Sequence, residues 1–243
     1  MSSLWGRAPG HRVQSWPAAP TDDVPGNPWF SWSYLHDNAD HVLAALRDHA
    51  ALTALAVIIA VVVALPLAVA AYWFRPLTRP AFVLTGALSV IPAVASLGLL
   101  VAFAGAATTT PVVTALAMYA VLLIVRHLLA GLTEVPAEVR DAAAGLGYSR
   151  LGRLLRIELP LALPAAFTGL RLATVSTVAL VTVGALIGHG GLGDLILSGY
   201  RGGFQRAQIT TGVLLCAGLA VTLDLLLLAA ARQLTPWTRE VRA

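Results

Sequence analysis

Three arrangements in this chain have residue types and spacings that chemistry could use. Gly188, Gly190, Gly191 and Gly193 fall in the order GxGxxG and lead into Asp194. Between a strand and a helix, such a loop would cradle the pyrophosphate of a dinucleotide. Arg171 and Asp224 are charges set inside apolar runs, where an ion is tolerated against a partner, a bundle interior or a water-filled path. The third arrangement is DAAAGLGYSRLGRLLRIELP, residues 141–160, a polar insert between greasy segments. Ala142, Ala143 and Ala144 leave a surface almost without side chains, which another protein can approach closely.

The segments that position these groups are of membrane grade. Of 243 residues, 58% are hydrophobic and 12% charged, with mean hydropathy +0.78 and a pI near 9.8. The balance is that of an integral membrane protein, and topology rather than nucleic acid accounts for the basic excess. A helix needs about 20 apolar residues to cross the hydrocarbon core, because it satisfies its own backbone there. Five stretches qualify, over residues 50–74, 81–104, 106–125, 161–187 and 209–231, with Arg171 in the fourth and Asp224 in the fifth. Pro66, Pro92 and Pro164 are expected to bend them.

Five crossings put the chain ends on opposite sides. All sixteen basic residues are arginine. With the N-terminus outside, Arg75, Arg79, Arg126, Arg140, Arg150, Arg153, Arg156, Arg232, Arg239 and Arg242 lie inside, against Arg7, Arg12, Arg47, Arg201 and Arg206 outside. The positive-inside rule therefore predicts an all-α membrane protein with five transmembrane helices, N-terminus outside and C-terminus cytoplasmic. The expected organisation is a flexible tail (1–30), an interfacial helix (31–49) with Leu35, Val42, Leu43 and Leu46 on one side, a transmembrane domain (50–235) with a cytoplasmic coupling region (134–158), and a short tail (236–243). The first residues carry no apolar h-region, so no cleaved signal peptide is expected and targeting falls to the first span.

That frame decides how the first two arrangements read. The glycine loop follows a membrane span, not a strand, so nucleotide binding is rejected. A tight outer turn remains, either a plain connection or an outer gate or partner contact formed by Gly188, Gly190, Gly191, Gly193 and Asp194. His189 has no companions for a metal site. Arg171 and Asp224 lie at roughly 16 and 11 Å from the inner ends of their spans at 1.5 Å per residue. Pairing across the fourth and fifth spans is one hypothesis, separate snorkelling the other. Trp29, Phe30, Trp32 and Tyr34 read as interfacial anchors, with a cage for a quaternary ammonium as the alternative. The single Cys216 reads as packing.

In the insert, Pro136 suits a helix start and Gly145 its end. Ser149 can cap a second short helix with Arg150, Arg153 and Arg156 recurring every third residue, and Leu151, Leu154 and Leu155 turned to the membrane side. Asp141, Ala142, Ala143, Gly147, Ile157, Leu159 and Pro160 keep the full spacing of the signature of binding-protein-dependent ABC importer permeases, with Asp141 where the family has Glu. The chain resembles that family over residues 35–237, and IPAVASLGLLVAF (91–103), VRHLLAGL (125–132), ELPLALPAAFTGLRLATV (158–175) and ALIGHGGLGDLI (185–196) resemble its osmoprotectant branch, the permeases for glycine betaine, carnitine and choline.

The resemblance implies the type I importer permease fold in the bacterial cytoplasmic (inner) membrane, with residues 141–147 as a coupling helix held by a separate ATP-binding subunit. It implies as further partners a second permease subunit, identical or homologous, and an extracytoplasmic solute-binding protein, with no nucleic acid. A methionine or other amino-acid importer permease is the alternative. The chain has no lysine, hence no P-loop, and no HExxH or GxSxG. It is therefore expected to be no enzyme and to hold no cofactor, with ATP and Mg bound by the partner. A membrane scaffold or an intramembrane enzyme is the remote alternative.

Overall fold

The computed structural model describes residues 27–88, 93–104 and 108–238, and its regular structure is helical throughout these residues. α1 (Trp32–Asp37) is capped by Ser31, whose hydroxyl accepts the Tyr34 N–H. α2 (Ala39–Trp73) follows across Asn38 and runs unbroken into the membrane-grade segment, so no helix boundary marks the expected change at residue 50. α3 (Arg75–Leu88) and α4 (Ala93–Ala104) occupy the second expected crossing. α5 (Thr110–Glu134) leads to the insert, which holds α6 (Ala137–Gly145) and α7 (Arg150–Arg153).

α7 is not a separate second helix. It passes through a π turn, Leu154–Glu158, into α8 (Leu159–Val181), then a 3₁₀ turn, Thr182–Ile187. Pro160 has no N–H to give the Arg156 carbonyl and its ring crowds that carbonyl, and the wider turn beside it accommodates both. α9 (Leu192–Arg201) and α10 (Arg206–Leu234) complete the chain.

Among the described residues, four helical stretches are long and apolar enough to cross a membrane: Ala39–Trp73, Thr110–Glu134, Arg150–Ile187 and Arg206–Leu234. Across the second expected crossing, the described residues belong to α3, of 14 residues, and α4, of 12. Pro92, expected to bend it, lies outside the described residues, as do Arg7, Arg12, Arg239 and Arg242.

Lipid supplies no hydrophobic drive between helices, so close packing of small residues must hold them. α2 meets the bundle through Ala45, His49, Thr53, Ala56, Ala60, Ala64, Ala68 and Ala71, all buried and spaced in threes and fours along one face. Leu128, Leu132 and Ile124 of α5 fill the other side of that core. Between α5 and α8 the spacing is set by glycine: a Cβ on Gly131 would stand 2.7 Å from the Ala165 Cβ, and one on Gly169 would stand 2.6 Å from the His127 Cβ. Hydroxyls of α8 turn back on their own helix, Thr174 to the Leu170 carbonyl and Thr177 to the Ala173 carbonyl, which satisfies both donors without water.

Gly169→Val is expected to wedge α5 from α8 and lower stability by about 1–3 kcal/mol, since the colliding atom is a Cβ that cannot swing away. Gly98→Val, at a site with nothing within 4 Å of the added carbon, serves as control. The check is the thermal unfolding midpoint of the purified protein in detergent or nanodiscs. Equal midpoints for the two variants would contradict the seam.

Candidate functional site

The insert is a stapled elbow. α6 starts after Pro136 and ends at Gly145, where the Leu146 N–H reaches the Ala142 carbonyl. Gly147 then adopts φ +79°, a left-handed conformation that any side chain would strain. The Ser149 hydroxyl accepts the Gly152 N–H at 3.1 Å and starts α7.

Asp141, Ala142, Ala144, Gly145 and Gly147 face outward, whereas Ala143 is buried at 3% exposure and anchors α6 to the chain. The bare surface is therefore made by Ala142 and Ala144 with the two glycines. Ile157, Leu159 and Pro160 are half-buried where the π turn enters α8. Leu154 is buried, while Leu151 and Leu155 are exposed along an open groove shared with Leu146 and Tyr148.

Three arginines tie this elbow down. The Arg150 guanidinium donates to the Trp73 carbonyl at 2.8 Å and lies 5.5 Å from the centre of the Trp73 ring. A cation at the last, unpaired carbonyls of a helix is favoured by the helix dipole and by the ring face together. Arg140 donates to the Tyr72 hydroxyl at 3.4 Å, a bond that raises its already high pKa. Arg153 donates to Glu158 at 2.8 Å, and that carboxylate is 1% exposed. The elbow is thus joined on one side to the end of α2 and on the other to the start of α8.

Deeper in the bundle, Arg171 of α8 and Asp224 of α10 meet in a two-point fork, Nε to Oδ1 at 2.8 Å and Nη2 to Oδ2 at 2.7 Å. Two parallel charge-assisted bonds are the strongest contact these side chains can form. Both remain about a third exposed on the chain's own surface.

At the opposite end of α8, the Gly188–Asp194 loop folds onto α2. The Asp194 carboxylate accepts the Gly190 N–H at 2.8 Å. Burial pushes its pKa up, while the Gly190 and Gly191 backbone bonds pull it down. A Cβ on Gly184, Gly190 or Gly193 would strike backbone atoms at 2.4–2.6 Å, so the turn is packed to the limit of glycine.

The aromatics before α2 do not assemble a cage. Tyr34 is buried against Val42 and Leu195, and burial takes its pKa up to about 12. Trp29 already carries the Arg206 guanidinium, 5.0 Å from its ring centre. Asn27 bridges the same place, donating to the Phe204 carbonyl and accepting the Arg206 N–H.

Sequence spacing identified the elbow and the two intramembrane charges. It missed Arg150, Arg140 and Glu158 as anchors, and His49, which is fully buried and bonded to the Val178 carbonyl. A histidine at the edge of an alanine stripe was the available signal for the last. Among the described residues, no cluster of three or more His, Cys, Asp or Glu is placed to hold a metal ion.

Comparison with known proteins agrees in family and in shape. The family described as "Binding-protein-dependent transport system inner membrane component" matches residues 56–240. The osmoprotectant import permease protein OsmW of Salmonella typhimurium is 35% identical over 207 residues, covering 84% of this chain and 96% of that protein. The choline transport system permease protein OpuBD of Bacillus subtilis is 31% identical over 204 residues, covering 84% and 90%. Among solved structures, an inward-facing conformation of the MetNI methionine ABC transporter superposes with a TM-score of 0.71 at 22% identity, over 85% of this chain and all of that one.

Arg171→Leu or Asp224→Leu alone leaves one charge without its partner at membrane depth and is expected to destabilise by about 2.5–3.5 kcal/mol. The double replacement should recover most of that loss, since an apolar pair needs no compensation. Thermal stability of the three variants in nanodiscs checks it. A double variant as unstable as the sum of the singles would contradict a direct pair.

Proposed function

Because the chain belongs to the binding-protein-dependent inner-membrane permeases of ABC importers, we propose that its elbow is the surface through which a separate ATP-binding subunit drives transport of an osmoprotectant. The observation that carries this reading is the elbow's construction. A bare outward surface of Ala142, Ala144, Gly145 and Gly147 is fixed from behind by Arg140, Arg150 and the Arg153–Glu158 pair. A loosely held loop would absorb a push; one bonded to both α2 and α8 passes it on.

The mechanism is alternating access. ATP draws two ATP-binding subunits together, the elbow of each permease moves with its subunit, and α2 and α8 tilt as attached bodies. The effect reaches the outer end, some 30 Å away across the hydrocarbon core. This chain makes and breaks no bond with the solute. In this reading Asp141, Ala142, Ala143, Gly145 and Gly147 form the coupling surface and its anchor, and Ile157, Leu159 and Pro160 are its joint with α8. ATP and Mg belong to the partner.

In this reading α3 and α4 belong to the second of five crossings, with the N-terminus outside. The arginine distribution supports this orientation, with Arg126, Arg140, Arg150, Arg153 and Arg156 at one end of the bundle. Residues 134–158 are then the cytoplasmic coupling region of a multi-pass protein of the bacterial cytoplasmic membrane. The long, apolar and largely uncovered α10 leaves surface for a second permease subunit, and an extracytoplasmic binding protein delivers the solute. The substrate class follows from the curated relatives, whose names give osmoprotectants and choline. The methionine alternative rests on shape at 22% identity, which speaks to fold alone.

Gly147→Trp has open space around its side chain within this chain, so it should insert normally. On a partner's surface it should clash, lowering uptake by about tenfold, the equivalent of roughly 1.4 kcal/mol of docking. Gly147→Ala separates backbone strain from bulk and should retain most activity. Solute uptake and ATP hydrolysis in proteoliposomes are the readouts, and normal uptake by the Trp variant would contradict docking. For the substrate, the assembled importer with its binding protein should take up labelled choline or glycine betaine. Uptake competed by methionine and not by quaternary amines would overturn that assignment.

A further inference from the structure

The seam that α2 turns to the bundle is nearly all alanine, and its two polar exceptions lie one turn apart. His49 has no exposed surface and Thr53 is 1% exposed. The His49 Nε2–H donates to the Val178 carbonyl at 3.0 Å, where α8 is about to tighten into its 3₁₀ turn. That bond fixes the tautomer of a neutral ring, and Nδ1 is left as an acceptor. The Thr53 hydroxyl has no hydrogen-bond partner among the described residues, and Nδ1 makes no bond of good geometry, with the Gly190 backbone as its polar neighbour.

A buried polar atom without a partner carries its desolvation penalty uncompensated, and alanine at both positions would avoid it. Two under-bonded atoms on one face are therefore explained best by a second state in which they are satisfied. What covers them can be named. Gly191, at φ +54°, lays its backbone on His49 so closely that a Cβ there would come within 2.7–2.8 Å of the histidine N, Cα and Cβ. From α10, the Cys216 sulfur sits 3.9 Å from Nε2. The cover is thus a glycine turn resting by shape on α2, beside a soft sulfur contact.

We propose that His49 and Thr53 line the outer end of the solute passage, and that they become wetted when the Gly188–Asp194 loop and α2 part. There they present one ring acceptor and one hydroxyl to a small polar solute or its water shell. The proposal rests on the importer reading, which makes this end the extracytoplasmic one. The two under-bonded atoms make the closed seam less stable than an all-alanine seam, so opening is easier.

The test uses Thr53→Cys in a Cys216→Ser background, in the complete importer held in right-side-out vesicles. A charged, membrane-impermeant thiol reagent is added outside. Labelling should be slow at rest. It should rise by about tenfold when the ATP-bound state is trapped with a hydrolysis-deficient ATP-binding subunit and loaded binding protein, because reaction follows access. Equal rates in the two states overturn the proposal. If the same preparation with an intact ATP-binding subunit still answers its binding protein with ATP hydrolysis, the importer reading stands while this inference falls. Thr53→Val supplies a second measurement: it removes the unpaired hydroxyl at nearly constant shape, and uptake should fall several-fold with assembled complex unchanged. Unaltered or faster uptake counts against the proposal.

Discussion

In hydrocarbon, no water is at hand for a peptide group that the chain leaves unpaired, and this one condition shapes the molecule. It makes the crossings helical and turns hydroxyls such as those of Thr174 and Thr177 back to their own carbonyls. Among the described residues, the elbow and the glycine turn are two places of irregular backbone, at opposite ends of α8. At the elbow the Trp73 carbonyl receives an arginine, and near the glycine turn the Val178 carbonyl of α8 receives His49 of α2.

The difference between the ends fits different duties. At the elbow, charged bonds over short distances fix α6 and α7 to two helices, as the proposed transmission of movement requires. At the other end of α8, glycines pack backbone against backbone, as a contact proposed to open would need. Between them, the fork of Arg171 and Asp224 keeps α10 attached to α8. With lipid outside, few alternatives to that pairing exist for either charge.

Local features of the site were legible in sequence because their causes are local. The Ser149 cap and the end of α6 at Gly145 follow from residue types within a few positions. The meeting of Arg171 with Asp224 was within reach as one of two options, since similar depth narrows where a charge can go. The anchors were not legible: Arg150 and Trp73 stand 77 positions apart, and nothing in either segment alone names the other. Glu158 hid in the variable position of Ile-x-Leu-Pro, where spacing gives no reason to expect a buried carboxylate.

The central claim is that the elbow faces the cytoplasm and is gripped by a nucleotide-hydrolysing partner. Its most direct test is Ala142→Cys in a Cys216→Ser background, in the assembled transporter, paired with a short bifunctional cross-linker. The account predicts a cross-link from this position to the ATP-binding subunit and no modification by an impermeant thiol reagent added from outside the cell. Modification from outside, or failure to reach the ATP-binding subunit in a complex that contains it, would contradict the account.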